Sequence, residues 1–132
     1  MRPRHLRIRP QFQALLAGPA VARTAHFALH RLNADGLSRA PETVQALFLP
    51  ADTVWLGAMV PKRWARRAVT RNAIRRQIYA VAEEISSPLT AGAHLVRLRA
   101  AFAPAQFPSA TSDALKRAVR AELIKLFGRR DV

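Results

Sequence analysis
Apolar positions change their period several times along the chain, and each change marks an element. Phe12, Leu15 and Leu16 fall at the spacing of one helical face and Gly18-Pro19 interrupts the run, so residues 12–16 form a short first helix. Over residues 26–32, Phe27, Leu29 and Arg31 alternate with His26, Ala28 and His30, the period of a half-buried strand. Residues 33–41, with Asp35-Gly36 and Ser38, have turn chemistry. Residues 44–49 and 53–60 then predict two strands separated by Pro50-Ala51-Asp52, and Gly57 in the second marks a close backbone approach.

From residue 68 the pattern is helical. Ile74, Ile78, Val81 and Ile85 draw one apolar stripe, which Ser86-Ser87-Pro88 ends. Leu95, Val96 and Leu98, interleaved with Arg97 and Arg99, predict another strand, closed by Pro104 and Pro108. Thr111-Ser112-Asp113 offers an N-cap to a last helix whose stripe is Leu115, Val119, Leu123, Leu126 and Phe127. The expected fold is α+β: a single-domain two-layer sandwich over residues 1–132, with about four strands in a mixed central sheet and three helices. Residues 1–9 read as a flexible basic arm.

Charge changes this picture. With 22 Lys and Arg against 8 Asp and Glu, the formal net charge is +14, a self-repelling excess that calls for a polyanionic or membrane partner. Arg supplies most of it, and the planar guanidinium favours phosphate and base contacts. No apolar run approaches a membrane span. The apolar run over residues 14–17 is too short for a signal-peptide core, and Pro10 and Gly18-Pro19 break a transit-peptide helix, so the expected location is the cytoplasm. The absence of Cys excludes disulfides, thiolate metal sites and a cysteine nucleophile.

The cationic excess is concentrated. Lys62, Arg63, Arg66, Arg67, Arg71, Arg75 and Arg76 lie in fifteen residues that hold no carboxylate. Asn72, Arg75, Arg76 and Tyr79 share a helix face turned away from the Ile74/Ile78/Val81 stripe, and Arg71 lies one turn before Arg75. Arginines at a helix start oppose the helix macrodipole, a conflict that a bound phosphate removes. A merely solvated face would be the bland account, but solvated faces mix signs.

Leu56-Gly57-Ala58-Met59-Val60-Pro61-Lys62-Arg63, followed by Arg71-Asn72-Ala73-Ile74-Arg75-Arg76, resembles the signature of the bacterial ribonuclease P protein subunit: a strand ending in a basic pair, then an Arg-Asn-Arg-x-Lys-Arg helix. Phe12-Gln13 in a first helix and His26-Phe27-Ala28-Leu29-His30 in a strand extend the likeness over nearly the whole chain. Ala73 replaces the second Arg of the signature, and Tyr79 stands where many members have Arg. The resemblance implies a fold like ribosomal protein S5 domain 2, with a left-handed βαβ crossover that breaks the usual rule. It implies a ribonucleoprotein that removes the 5′ leader from precursor tRNA. Catalytic Mg²⁺ would sit with the RNA subunit and none would be tightly held by the protein, one copy of which would join one ribonuclease P RNA. Carried across, Lys62, Arg63, Arg66, Arg67, Arg71, Asn72, Arg75 and Arg76 bind RNA, while Phe12, His30 and Tyr79 line a cleft for the single-stranded leader.

Read without the resemblance, Phe12 belongs to the small core and the histidines have no metal-binding spacing. Glu83-Glu84 diverge on their helix and do not pair as acid and base, so no catalytic residue is expected. Trp55 and Trp64 are packing anchors, Trp64 being the better candidate for stacking because Lys62 and Arg63 adjoin it. The rival class is a ribosomal or other structural RNA-binding protein with no role in cleavage.

Overall fold
The computed structural model describes residues 2–85, 88–103 and 113–129. Its frame is two long seams. Strand β3 (Phe27–Asn33) pairs antiparallel with β5 (Gly92–Leu98), and β5 pairs parallel with β4 (Val54–Met59). Helix α4 (Ala68–Glu84) connects the parallel neighbours β4 and β5. Two short strands complete the sheet: β1 (Arg4–His5) joins β4 in parallel, and β2 (Ala22–Arg23) joins β3 antiparallel. The order is β1-β4-β5-β3-β2, a mixed sheet of five strands instead of the expected four.

Alternation along β4 and β5 sorts side chains to two faces. Val54, Leu56, Ala58, Val96 and Leu98 enter one core with the stripes of α4 and of α5 (Asp113–Gly128). The buried residues of α5 are the five predicted: Leu115, Val119, Leu123, Leu126 and Phe127. Trp55, Met59, Ala93 and Leu95 face the other way. There they meet Leu15 and Phe12 of α1 (Arg9–Leu16), Leu37 of α2 (Ala34–Arg39) and Val44 of α3 (Glu42–Gln45). The class is α+β as expected, but helices cover both faces of the sheet, where one covered face was expected.

Three local expectations are corrected. Residues 33–41 contain the helix α2, because Asn33 Oδ1 accepts from the Gly36 amide at 2.7 Å and caps a turn where Asp35-Gly36 alone suggests a loop. Residues 44–49 contain no strand. Val44, Leu47 and Phe48 are spaced i, i+3, i+4 and face the α1 side from α3 and the turn after it. Residues 1–9 are not a free arm: Arg4 and His5 pair with Trp55 and Leu56, and Leu6 is buried. The approach anticipated at Gly57 is made by Leu6, whose Cδ1 would lie 2.6 Å from any Cβ there. Gly92, at φ +130°, lets β5 begin against Leu32 O, 2.5 Å from where a Cβ would be. The expected stop at Ser86-Ser87, the prolines Pro104 and Pro108, and the N-cap at Thr111-Ser112 lie outside the described residues.

Candidate nucleic-acid interface
Helix α4 separates packing from charge. Ala73, Ile74, Ile78, Val81 and Ala82 are buried, which puts Asn72, Arg75 and Arg76 on the outer side. Ala73, in place of the signature's second Arg, is therefore a core residue. Asn72 Oδ1 accepts a hydrogen bond from Arg75 Nη1 at 3.1 Å, so the two side chains orient one another one turn apart. Arg71 folds back instead: its Nη1 donates to the carbonyls of Ala65 and Arg66 at 3.1 and 2.8 Å. That bond pair ties the loop before α4 to its first turn, so Arg71 shapes the surface as well as charging it.

Lys62, Arg63, Arg66 and Arg67 are exposed on the approach to the helix, and the Arg63 guanidinium lies 5.3 Å from the Trp64 ring centroid. Trp64 is partly buried against the core beneath. Among the described residues, no ion pair joins residues 62–76 to a carboxylate; Glu83 and Glu84, at the far end of α4, pair with Arg2 and Arg120. The first turn of α4 also lacks an acidic residue. The start of the helix dipole and the guanidiniums around it thus add up, and a phosphate is the group both favour.

A second basic surface lies on the α1 face of the sheet. Register places Arg23, Ala28, Arg97 and Met59 opposite one another in one row across β2, β3, β5 and β4. Next to this row stands His30, 5% exposed. The His30 ring Nδ1 is 3.2 Å from Gly18 O and can only donate there. Its Nε2 is then the acceptor for Arg97 Nε–H at 3.4 Å, which describes a neutral imidazole. Burial pushes the His30 pKa down, the Gly18 bond opposes this, and Arg97 and Arg23 push it down further. Burial also lowers the pKa of Arg97, followed by the charges of Arg23, Arg63 and Arg99. Register and the bond from Arg99 Nε to Thr24 O bring Arg23, Arg97 and Arg99 to one end of the sheet, with half-buried Phe12 packed on its α1 face.

Of the three residues assigned to the cleft, Phe12 and His30 share this face, and Tyr79 does not. Tyr79 lies across the sheet with the α4 core and stacks on His5 at 3.9 Å between ring centroids. Burial raises its pKa, with the Ala58 backbone and the Arg75 charge opposing; as a residue of α4 packed on that core, it neighbours the Asn72/Arg75 face instead. The reason is register: β1 places His5 on the side opposite Leu6, where α4 lies. Arg23, Arg97 and Arg99 were not singled out from sequence. A signal was present in the position of Arg97 within the buried alternation of β5, but an arginine there equally suits a strand with one solvated side. Among the described residues no three His, Asp or Glu side chains gather as a metal site, and no helix is long and apolar enough to cross a membrane.

Comparisons with known proteins converge on one family. The family model described as Ribonuclease P matches residues 1–126. A ribonuclease P protein component of Ralstonia pickettii (strain 12J) is 34% identical over 119 residues, covering 89% of this chain and 71% of that protein. The solved RNase P protein of Staphylococcus aureus has a TM-score of 0.64 and 19% identity, covering 96% of this chain and 94% of that one. A second structure of the S. aureus protein gives 0.63 at 21% identity, over 97% and 89%. These two likenesses speak for the fold.

Proposed function
The chain belongs to the ribonuclease P protein family, and from that premise we propose that it grips RNA for an endoribonuclease that removes the 5′ leader from precursor tRNA, without supplying catalytic residues. One observation carries the reading: a carboxylate-free array of guanidiniums mounted on α4, whose opposite side is core. Such a surface gains most of its affinity by releasing counterions from phosphate. Lys62, Arg63, Arg66, Arg67, Asn72, Arg75 and Arg76 contact the ribonuclease P RNA, with Arg71 holding the loop in place. Phe12, His30 and Arg97 receive the single-stranded leader, the ring by stacking and Arg97 by pairing with phosphate. One protein serves one RNA, in the cytoplasm.

Mg²⁺ belongs with the RNA subunit in this reading. When bound there it supplies Lewis-acid stabilisation of the phosphate oxygens. The protein's part is positioning. Reconstitution tests this: RNA-free protein is expected to leave precursor tRNA intact at any Mg²⁺ concentration, and addition of a cognate ribonuclease P RNA to give cleavage at the leader junction. Cleavage by rigorously RNA-free protein would overturn the assignment, as would failure of the protein to bind or assist that RNA.

A further inference from the structure
A separate hollow opens at the N-terminal end of α1, away from Gly18 and His30 at its C-terminal end. It is an open cavity of about 530 Å³ lined in part by Arg4, Arg7, Gln11 and Trp55, within the range of roughly 300–1,000 Å³ that bound small ligands occupy. Sheet pairing creates it, because Arg4 lies opposite Trp55 in the β1–β4 register. The Arg4 guanidinium stands 5.8 Å from the indole centroid.

Both walls have fixed bases. Trp55 Nε1–H donates to Pro50 O at 3.1 Å, and the Phe48 ring meets the indole edge-on at 6.3 Å between centroids. Gln11 Oε1 accepts from the amides of Arg7 and Ile8 at 2.7 and 3.2 Å, while its Nε2 donates to Leu47 O at 2.8 Å. The buried amide thus pins the backbone that presents Arg7. No carboxylate lines the cavity, and among the described residues neither Arg4 nor Arg7 is in an ion pair. One unpaired guanidinium beside an aromatic ring, with a second unpaired arginine in the same lining, forms a surface for a planar base with an attached anion.

We propose that this cavity binds one nucleotide of a single-stranded RNA segment, its base stacked on the Trp55–Arg4 surface and its phosphate paired with Arg7. The proposal rests on the RNA-binding reading only for the class of partner. It adds a contact at the end of α1 opposite to the one that adjoins the His30–Arg97 surface. The packing role expected of Trp55 is real on the Phe48 side, while its partial exposure on the Arg4 side leaves room for the second role.

The chain has two tryptophans, so Trp64→Phe leaves Trp55 as the sole indole reporter. Titration of that full-length variant with pentaadenylate is expected to change Trp55 emission saturably. Adding Arg4→Ala and Arg7→Ala is expected to weaken the binding that this response reads roughly 10- to 150-fold, the span that one hydrogen-bonded contact to a charged group accounts for. Silent emission, equal affinity for inorganic phosphate, or no effect of the two arginine changes would each overturn the nucleotide assignment. Should Trp64→Phe lose its cooperative melt, a 4-thiouridine pentamer photocrosslinked to the unmodified protein replaces it. Crosslinks within the peptides holding Arg4 or Trp55 support the site, and crosslinks confined to others reject it. Arg75→Ala/Arg76→Ala protein keeps the Trp55 response if the cavity is independent of α4 and loses it if the signal comes from RNA on that helix. Loss of ribonuclease P RNA binding in reconstitution, with the Trp55 response intact, would reject the subunit assignment and leave the cavity standing.

Discussion
Phe12 is the residue on which core and ligand roles meet. Its ring is half-buried against the core on the α1 side of the sheet, so truncation removes packing as well as any stacking surface. Phe12→Ala is therefore expected to lower stability by less than the ~3–5 kcal/mol of a fully buried Phe. It is expected to cost about 1–3 kcal/mol of leader-dependent affinity. Holoenzyme binding to precursor tRNA and to mature tRNA separates the two contributions, because mature tRNA has no leader. Equal loss for both, with a large fall in melting temperature, would return Phe12 wholly to the core. His30 shows how far such residue roles were legible: its place in a strand alternation could be read, but its bond to Arg97 could not, since 67 residues separate them. Tyr79 was misplaced for the complementary reason. Helical spacing identified its neighbours on α4, but only the β1 pairing, invisible in a two-residue strand, reveals that His5 claims its ring.

Among the elements, α4 carries the clearest division of labour and hence the clearest test. Arg75 and Arg76 stand off the buried stripe, so replacing both with Ala is expected to leave the cooperative melt nearly unchanged. Binding of ribonuclease P RNA should weaken at low salt, with the logarithmic salt slope shrinking by roughly 0.7–0.9 for each phosphate that is no longer neutralised. A filter-binding series across salt concentrations reads this directly, and an unaltered slope would mean that the face is only solvated. The same helix explains why much of the fold was legible. Seventeen residues with a four-residue buried rhythm outweigh local accidents, as do the sixteen of α5. By contrast α2 has six residues and α3 four, too few to show a period. The apolar residues around α3 passed for a strand because a run bounded by prolines has the length of one. β1 exists through long-range pairing with β4, and β2 through a two-residue pairing with the next strand, with no composition of their own to announce them.

At the scale of the whole molecule, a charge of +14 has to be held together by internal contacts, and among the described residues the Glu122 carboxylate makes a dense one. From α5 it accepts from Thr24 Oγ1 at 2.6 Å and from the His26 amide at 2.7 Å, and its other oxygen lies 2.7 Å from His26 Nδ1. The contact fastens α5 to the segment between β2 and β3, over which Phe102 stacks on His26 at 3.9 Å. Burial works to raise the Glu122 pKa, but the hydrogen bonds from Thr24 and His26 and the His26 charge outweigh it and hold it below the ordinary 4.5. A carboxyl depressed by folding contributes stability that is fully present above its unfolded pKa and is lost as pH falls through the folded value. His30, lowered from 6.5 chiefly by burial, acts in the same sense at higher pH: protonation favours the unfolded chain, so its contribution erodes first. Melting temperature is thus expected to fall in two stages on acidification, one beginning below pH 6.5 and one below pH 4.5. Glu122→Gln should destabilise the protein at neutral pH by about 1.5–3 kcal/mol, the usual worth of a hydrogen bond to a charged group. Its deficit should shrink through the lower stage alone, where the native carboxyl is itself becoming neutral. Calorimetric melts of both proteins from pH 4 upward, extended downward while the transition stays reversible, check this, and a deficit that does not change with pH would show that Glu122 acts through shape and not through charge.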